Sequence, residues 1–471
     1  MQLIILGLGR EGFSSYQFWR ERDAELPIVL VDDLPLEKFG ANWKTTLLHD
    51  QKTGFVQSEN FNTSINDQTV VMVTPGIKPD HPVLNQAINA GAWVSSNMQI
   101  FLEICLPDRA KPHPLSALLP KIPAQTKVIG VTGTKGKSTT TAVIYHLLEG
   151  AGLPSFLGGN IGKPALDLVP LMLNSTKTQQ LFAVLEMSCH QLNRLTISPE
   201  IAVIQSITPE HLDYYPNFDQ YVLAKTNITQ YQQDSDWLIY QKDNSTTNKI
   251  AEKSRAQTFC FSLYDQTCAA SAKTNKLYYQ NLSVIKTDEL QLIGQHNWLN
   301  VMPGIIVAAK LAVEPLKINQ LLKSFSPLPH RLELISQQHG VQFFNDSLST
   351  NPEAAIAALS SFGQQPIILI AGGFDRGLDY SGLAKKIAQS QIKLAILLPE
   401  TGKRIASLLN KISDHKTIVE FVSNLQQAVA LAKTQAQAGD VVLLSPGSAS
   451  FNQFKDYQDR GNTFKHLVLD S

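Results

Sequence analysis

The residues whose types and spacing could do chemistry are densest from Val128 to Thr140, Val-Ile-Gly-Val-Thr-Gly-Thr-Lys-Gly-Lys-Ser-Thr-Thr. A β-branched run enters a glycine-rich turn, and a helix-compatible segment, Thr139 to Glu149, leaves it. Such a turn aims successive backbone N–H groups and a helix N-terminus at one point, which suits a phosphate. Gly133 and Gly136 let the backbone curl without a Cβ clash. Lys137 would reach the terminal phosphates, and the Ser138 hydroxyl could ligate Mg²⁺. The strict spacing G-x-x-x-x-G-K-[ST] is not met, because Val131 stands where its first glycine belongs. The strand–turn–helix context still predicts an ATP-binding loop.

Other reactive side chains fall at the ends of apolar runs. Phe182 to Leu185 ends in Glu186, followed by Met187-Ser188-Cys189-His190. Ile201 to Ile204 leads into Thr208-Pro209-Glu210-His211-Leu212-Asp213, and Gly158-Gly159-Asn160-Ile161-Gly162 makes a second glycine-rich turn. Open α/β sheets bind ligands at the carboxyl ends of parallel strands, where these side chains would sit. Glu186 closes an apolar strand, and a buried carboxylate wants a cation. Taken alone, His211 reads more often as a hydrogen-bonded structural histidine, and Lys225, in a helical stretch, reads by default as a solvated surface lysine.

The elements that must position these groups repeat the α/β pattern. Leu3 to Leu6 is a buried-strand run followed by Gly7-Leu8-Gly9-Arg10-Glu11-Gly12, a G-x-G-x-x-G match. A helical stretch leads to Ile28-Val29-Leu30-Val31 and the acids Asp32-Asp33, about 20 residues on, which is the dinucleotide-binding layout. Val70 to Val73 adds a strand before Thr74-Pro75-Gly76. Pro107 to Thr126, with its five prolines, reads as an extended linker. Residues 241–293 read as a small β-rich lobe, and Val301 to Val313 as an apolar helix. Pro327-Leu328-Pro329-His330-Arg331 marks another boundary, past which Pro366 to Ala371, Leu394 to Leu398 and Val441 to Leu444 are strands alternating with helices. The expected fold is α/β in three domains: 1–106, Rossmann-like; 107–327, P-loop-ATPase-like; and 328–471, Rossmann-like.

Composition excludes several classes. Forty basic and forty acidic residues cancel, so no long-range field recruits nucleic acid or an anionic membrane. No apolar stretch approaches the roughly 18 residues of a membrane helix, and Met1 to Gly12 lacks the features of a signal peptide. The expected protein is cytoplasmic. Cys105, Cys189, Cys260 and Cys268 are scattered without a C-x-x-C pair, and read as reduced thiols rather than a disulfide frame or zinc site.

Several pieces occur together in one order: the phosphate loop, Gly159-Asn160-Ile161-Gly162, Glu186-Met187-Ser188, His211-Leu212-Asp213, Ala224-Lys225, Gly294-Gln295-His296-Asn297, Pro329-His330-Arg331 and Asn345-Asp346-Ser347. Together they resemble the Mur ligases, the ATP-dependent amino-acid ligases of peptidoglycan precursor synthesis, over all three domains. The ending Leu443 to Ser450, through Gln453-Phe454-Lys455 and Arg460-Gly461-Asn462, is similar to members that take D-glutamate. The resemblance implies an acyl-phosphate route, in which ATP activates a carboxylate for attack by an amine. It implies a UDP-muramoyl precursor and an acidic amino acid as small-molecule substrates of a monomer, with ATP and Mg²⁺.

The roles it implies are residue-specific. Gly133, Thr134, Lys135, Gly136, Lys137, Ser138 and Thr139 would cradle ATP, with Asn300. Asn297 would contact adenine, although an Asn before a helix is equally an N-cap. Arg331 and Asp346 would reach the ATP phosphates and ribose, or else form an interdomain salt bridge. Ser138 and Glu186 would hold one Mg²⁺. His211 would ligate a second, with Lys225 carbamylated by CO₂ into an anion. Gly9, Asp32, Thr74, Asn160 and Ser188 would bind the UDP substrate, and Thr350, Arg376, Ser450 and Tyr457 the amino acid.

Departures from the family pattern cluster at the organic substrates. Glu11 stands where a threonine is common, and an acid facing a diphosphate is unfavourable, so Glu11 must point away or the nucleotide must sit differently. Ser95-Ser96-Asn97-Met98-Gln99 replaces a more acidic stretch. Leu348 replaces a lysine, leaving Arg376 as the cation for the incoming carboxylates, which an arginine can bind bidentately. A related ligase with another acceptor or amino acid is the alternative reading.

Overall fold

The computed structural model describes residues 1–122, 125–175, 180–413 and 415–470. It is an α/β protein with three sheets. The first contains β1 (Gln2–Leu6), β2 (Ile28–Asp32), β3 (Thr53–Gln57), β4 (Thr69–Val73) and β5 (Trp93–Ser95), in the order β3-β2-β1-β4-β5. All its pairings are parallel. Parallel strands are covered on both faces, which is why β1 and β4 are apolar at almost every position.

The central sheet holds β6 (Thr126–Thr132), β7 (Ser155–Gly159), β8 (Leu181–Glu186), β9 (Ile201–Ile204), β10 (Trp237–Gln241), β11 (Gln257–Ser262), β12 (Ala270–Lys273), β13 (Lys276–Tyr279) and β14 (Leu282–Lys286). Its order is β14-β13-β12-β11-β10-β9-β6-β8-β7. The strands read as a small β-rich lobe thus extend the central sheet. β11 pairs with β10 in parallel, and β12, β13 and β14 follow as an antiparallel edge. Their weak alternation is that of half-exposed edge strands, which lack the long apolar runs of the sheet centre.

The third sheet contains β15 (Glu333–Gln338), β16 (Val341–Asn345), β17 (Ile367–Gly372), β18 (Ile392–Leu398), β19 (Ile418–Phe421) and β20 (Val441–Leu444). It runs β15-β16-β20-β17-β18-β19. β17, β18 and β20 are buried almost throughout, with one apolar cluster on each face. Each fully buried Leu or Ile there contributes roughly 1.5–3 kcal/mol.

The chain divides into two compact units, Met1–Thr287 with Trp298–Lys323, and Asp288–Asn297 with Ser324–Ser471. Among the described residues no helix is long and apolar enough to cross a membrane. Two expectations are corrected. The proline-rich stretch is not a free extended linker: it carries 3-10 turns at Pro107–Arg109 and Ser116–Leu118, and it buries Leu115 and His113. His113 Nε2 lies 3.0 Å from Glu103 Oε2 and its ring stacks on Trp93, which pins the segment. Pro123 and Ala124 lie outside the described residues. Cys260 and Cys268 form a disulfide, because β11 and the turn after it return the chain until the two Cα atoms are 4.9 Å apart. Cys105 and Cys189 are free thiols, both buried.

Candidate active site

β6 lies between β8 and β9, in a register that sets Val131 opposite Glu186 and Thr132 opposite Ile204. The three strand ends therefore meet where the glycine-rich loop, expected to bind phosphate, leaves β6. Gly133 adopts φ +147° and a Cβ on it would lie 2.6 Å from the Gln205 Cβ; at Gly136, φ is +86° and a Cβ would lie 2.2 Å from Asn300 Oδ1. Neighbours press on the loop from both ends, so only glycine fits at either position. Gly136 caps the 14-residue helix Lys137–Gly150, and Ser138 is half-buried in its first turn. Lys135 is exposed, while Thr139 is buried. Thr134 Oγ1 accepts from the Thr208 N–H (2.9 Å) and meets the Tyr221 hydroxyl at 3.0 Å. Lys137 folds back over the loop, its Nζ donating to the carbonyls of Gly133 (3.1 Å) and Thr134 (3.0 Å). A bound phosphate would offer that ammonium a stronger partner than neutral carbonyls.

Glu186 is 2% exposed. Its Oε1 accepts from Asn160 Nδ2 at 2.7 Å, and the Asn160 N–H donates to the Glu186 carbonyl at 2.9 Å. Its Oε2 is buried with no hydrogen-bond partner. A carboxylate oxygen in that state costs free energy unless a cation meets it. Among the described residues no three His, Cys, Asp or Glu side chains gather as a metal-holding group. One carboxylate and a serine hydroxyl beside a phosphate loop fit Mg²⁺, which keeps several waters and takes phosphate oxygens.

Lys225 rises from the helix Phe218–Gln230 and is 1% exposed. Its Nζ donates to the Gly133 carbonyl at 2.8 Å and sits 4.9 Å from the Tyr221 ring centroid. Burial, and then the neighbouring Lys137 charge, lower its pKa to about 7. His211 holds a left-handed backbone (φ +57°), with its Nε2 3.9 Å from Glu210 and its ring edge-on to His190 at 5.0 Å. Lys137, Asn160, Ser188, His190, His211 and Lys225 line one cavity of about 290 Å³. Five residues expected to act with ATP, metal or substrate, Lys137, Asn160, Ser188, His211 and Lys225, thus share it. His190, expected at a strand end with the other polar side chains, was given no role of its own. Burial chiefly, with His211 and Lys225, lowers its pKa to about 4. Gln205 was missed: it braces the loop by donating from Nε2 to Thr140 Oγ1 (2.8 Å) and the Leu299 carbonyl (3.0 Å).

At the first glycine turn, Asp32 Oδ2 accepts from the Leu8 N–H at 2.7 Å and its Oδ1 from Leu34 N–H at 3.0 Å. Thr74 Oγ1 donates to the Leu6 carbonyl at 3.2 Å, and Gly9 has open space where a side chain would be. Glu11 does point away: its Oε1 accepts from Gln191 Nε2 at 2.6 Å. Burial raises its pKa to about 7 against the hydrogen bond to Gln191. Asn97, in the stretch lacking acids, is buried and donates to Ser14 Oγ (3.0 Å) and Ser15 Oγ (3.2 Å).

In the other unit, Asn297 Nδ2 donates to the Ile293 carbonyl at 2.7 Å and its N–H to that of Gly294, so it lies inside the helix Gln295–Lys310 rather than capping it. Asp346 is buried and accepts from Ser349 Oγ (2.5 Å) and Ser445 Oγ (2.7 Å). Burial raises its pKa to about 6, which the hydrogen bonds and the Arg331 charge only partly offset. Arg376 is exposed and its Nη2 donates to the Thr350 carbonyl at 3.2 Å, which brings those two together. Ser450 is buried just after Ala449, whose carbonyl accepts from the Phe374 N–H. Tyr457 lies against His330, ring centroids 6.1 Å apart.

Residues 131–308 match the family model of the Mur ligase middle domain, and residues 330–447 that of the Mur ligase glutamate ligase domain. A UDP-N-acetylmuramoylalanine–D-glutamate ligase of Clostridium botulinum is 33% identical over 472 residues, covering 99% of this chain and 96% of the relative. The crystal structure of UDP-N-acetylmuramate–alanine ligase from Thermotoga maritima shares the fold with a TM-score of 0.59 at 16% identity, over 100% of this chain and 99% of that one. MurF from Acinetobacter baumannii shares it at 0.60 and 18% identity, over 99% and 92%. The likeness runs from the glycine turn of the first sheet to the last helix, so the chain belongs to the Mur ligase family.

Proposed function

We propose that this protein joins UDP-N-acetylmuramoylalanine to D-glutamate at the expense of ATP, in the cytoplasm, as a monomer. The observation that carries the reading is the buried, unpartnered Glu186 Oε2 held in register beside the phosphate loop. The near-full-length likeness to ligases of that name selects the substrates.

The chemistry follows from the positions. A carboxylate resists an amine until one oxygen becomes a leaving group, and phosphorylation makes it one. Phosphoryl transfer needs positioning and charge neutralisation more than a covalent catalyst. The N–H groups at Gly133 to Ser138 and the Lys137 ammonium would hold the β- and γ-phosphates. Glu186 and Ser138 would hold a Mg²⁺, which supplies charge neutralisation there. His211 and a carbamylated Lys225 would hold a second. A neutral amine attacks CO₂ and an ammonium does not, so the lowered pKa of Lys225 favours that modification. Asn297 and Asn300 would flank the nucleotide, with Arg331 and Asp346 at its phosphates and ribose. Arg376 would bind the incoming carboxylates beside Thr350, Ser450 and Tyr457. The five-strand parallel order around β1 supports a Rossmann-like acceptor domain with Gly9, Asp32 and Thr74 at its mouth.

The test measures phosphate release from ATP with UDP-N-acetylmuramoylalanine and a panel of amino acids. Release that depends on the acceptor and on D-glutamate is the expected result. Release driven better by another amino acid would transfer the protein to the related-ligase reading that Leu348 suggests.

A further inference from the structure

Two consecutive residues of the acceptor-side glycine turn reach the two segments that flank Glu186. Arg10 Nη2 donates to the Asn160 carbonyl at 3.2 Å, and Asn160 in turn donates its Nδ2 to Glu186 Oε1 at 2.7 Å. Glu11 Oε1 accepts from Gln191 Nε2 at 2.6 Å. Gln191 closes a reciprocal capping box with Ser188: its Oε1 accepts from the Ser188 N–H at 2.8 Å, and its own N–H donates to Ser188 Oγ at 3.2 Å. Ser188 is two residues past Glu186. One chain of hydrogen bonds approaches the carboxylate through its side-chain partner, the other through the turn that follows its strand.

We propose that Arg10 and Glu11 are positioning residues, which hold Glu186 in its cation-binding orientation and couple that orientation to the acceptor nucleotide. The proposal rests on the reading of Glu186 as a magnesium ligand and of the Gly7–Gly12 turn as the acceptor's mouth. It also explains the acid at position 11. Glu11 faces the short helix Cys189–Leu192 that follows β8, where a donor amide meets it, and its second oxygen, Oε2, is buried without a partner. A hydroxyl could not span to Gln191 from that position, whereas a three-atom carboxylate arm does. Partners of metal ligands tune affinity by roughly 10- to 100-fold, and Glu11 stands further out, so about tenfold is expected. Coupling is reciprocal, so an acceptor that orders the turn must tighten the cation by the same factor that the cation tightens the acceptor.

Mn²⁺, read by electron paramagnetic resonance in the presence of a non-hydrolysable ATP analogue, serves as the probe, with and without UDP-N-acetylmuramoylalanine. In the wild type the acceptor should tighten Mn²⁺ several-fold. Glu11→Ala should weaken Mn²⁺ about tenfold and abolish the acceptor's effect, while Glu11→Gln, which keeps an oxygen for Gln191, recovers most of both. A merely structural contact would lower the melting temperature and leave Mn²⁺ affinity and its acceptor dependence in place. Should Glu11→Ala fail to fold, Arg10→Ala removes an exposed side chain and tests the Asn160 arm in the same way. Wild-type failure to bind Mn²⁺ with the analogue overturns the reading of Glu186. Wild-type binding matched by both alanine variants overturns the positioning role alone.

Discussion

Replacing Lys225 by methionine should stabilise the folded protein near neutral pH while removing its activity. The ammonium is 1% exposed and its pKa falls from the ordinary 10.5 to about 7. Between those values the unfolded chain binds a proton that the folded chain refuses, so this group makes stability rise with pH from 7 to 10.5 and adds no slope below. At pH 8 the folded state carries a penalty of about 3 kcal/mol, at 1.36 kcal/mol per pH unit. Methionine removes the penalty and fills similar volume, but loses the bond from Nζ to the Gly133 carbonyl (2.8 Å), worth about 1 kcal/mol. The net gain of about 2 kcal/mol corresponds to roughly 4–8 °C in the melting of a domain this size. By pH 10 the penalty is below about 1 kcal/mol and the gain should vanish. Scanning calorimetry of both proteins in CO₂-free buffer at pH 8 and 10 reads this directly. A difference that is the same at both pH values would refute the neutral-amine argument. Added bicarbonate should then raise the melting temperature of the wild type and leave that of Lys225→Met unchanged, since only an amine forms a carbamate.

Three further outcomes follow from the site. Lys137→Ala should reduce turnover by on the order of 10²–10³ at saturating ATP, because it removes the charge at the transferring phosphoryl group, and phosphate release measures it. Gly133→Ala should abolish nucleotide binding in calorimetric titration, since a Cβ would lie 2.6 Å from Gln205 with φ at +147°, and retained binding would mean the loop tolerates a shift. Arg376→Lys should raise the amino-acid KM about ten- to a hundred-fold, the worth of a charge-assisted bond. The ATP KM should stay put, and an amino-acid KM within twofold of wild type for Arg376→Ala would remove the acidic-substrate reading of this pocket.

The strand, glycine turn and helix from Val128 to Thr140 were legible because their constraints are local. A β-branched strand, two glycines and a helix start lie within 13 residues, and each constraint is met by neighbours in sequence. The buried strands β1, β4, β8, β9, β17 and β20 were legible for the same reason: apolar runs announce burial on both faces. What could not be read was pairing. β12 to β14 carry short mixed patterns that suit an independent lobe as well as a sheet edge, and only hydrogen bonding to β11 decides between them. The Cys260–Cys268 pair failed similarly, because seven intervening residues imply no particular return of the chain, and its closure depends on where β11 ends.

The site divides along the same line, and Glu11 makes the reason clear. Residue type alone marked it as misplaced, since an acid at a diphosphate-facing turn opposes the ligand's charge. Its partner, Gln191, is 180 residues away and carries no signal beyond a place in a capping box. Gln205 was hidden likewise, polar, just past a strand end, and given meaning only by what lies across the register. Sequence periodicity reports which face a side chain takes and is silent on which distant side chain meets it there. A misfit of type against expected ligand is therefore the more informative signal, because it says that some unseen partner must exist. Here that partner lies in the short helix Cys189–Leu192 after β8, and the misfit is what points to the contact between the first glycine turn and the segment that follows Glu186.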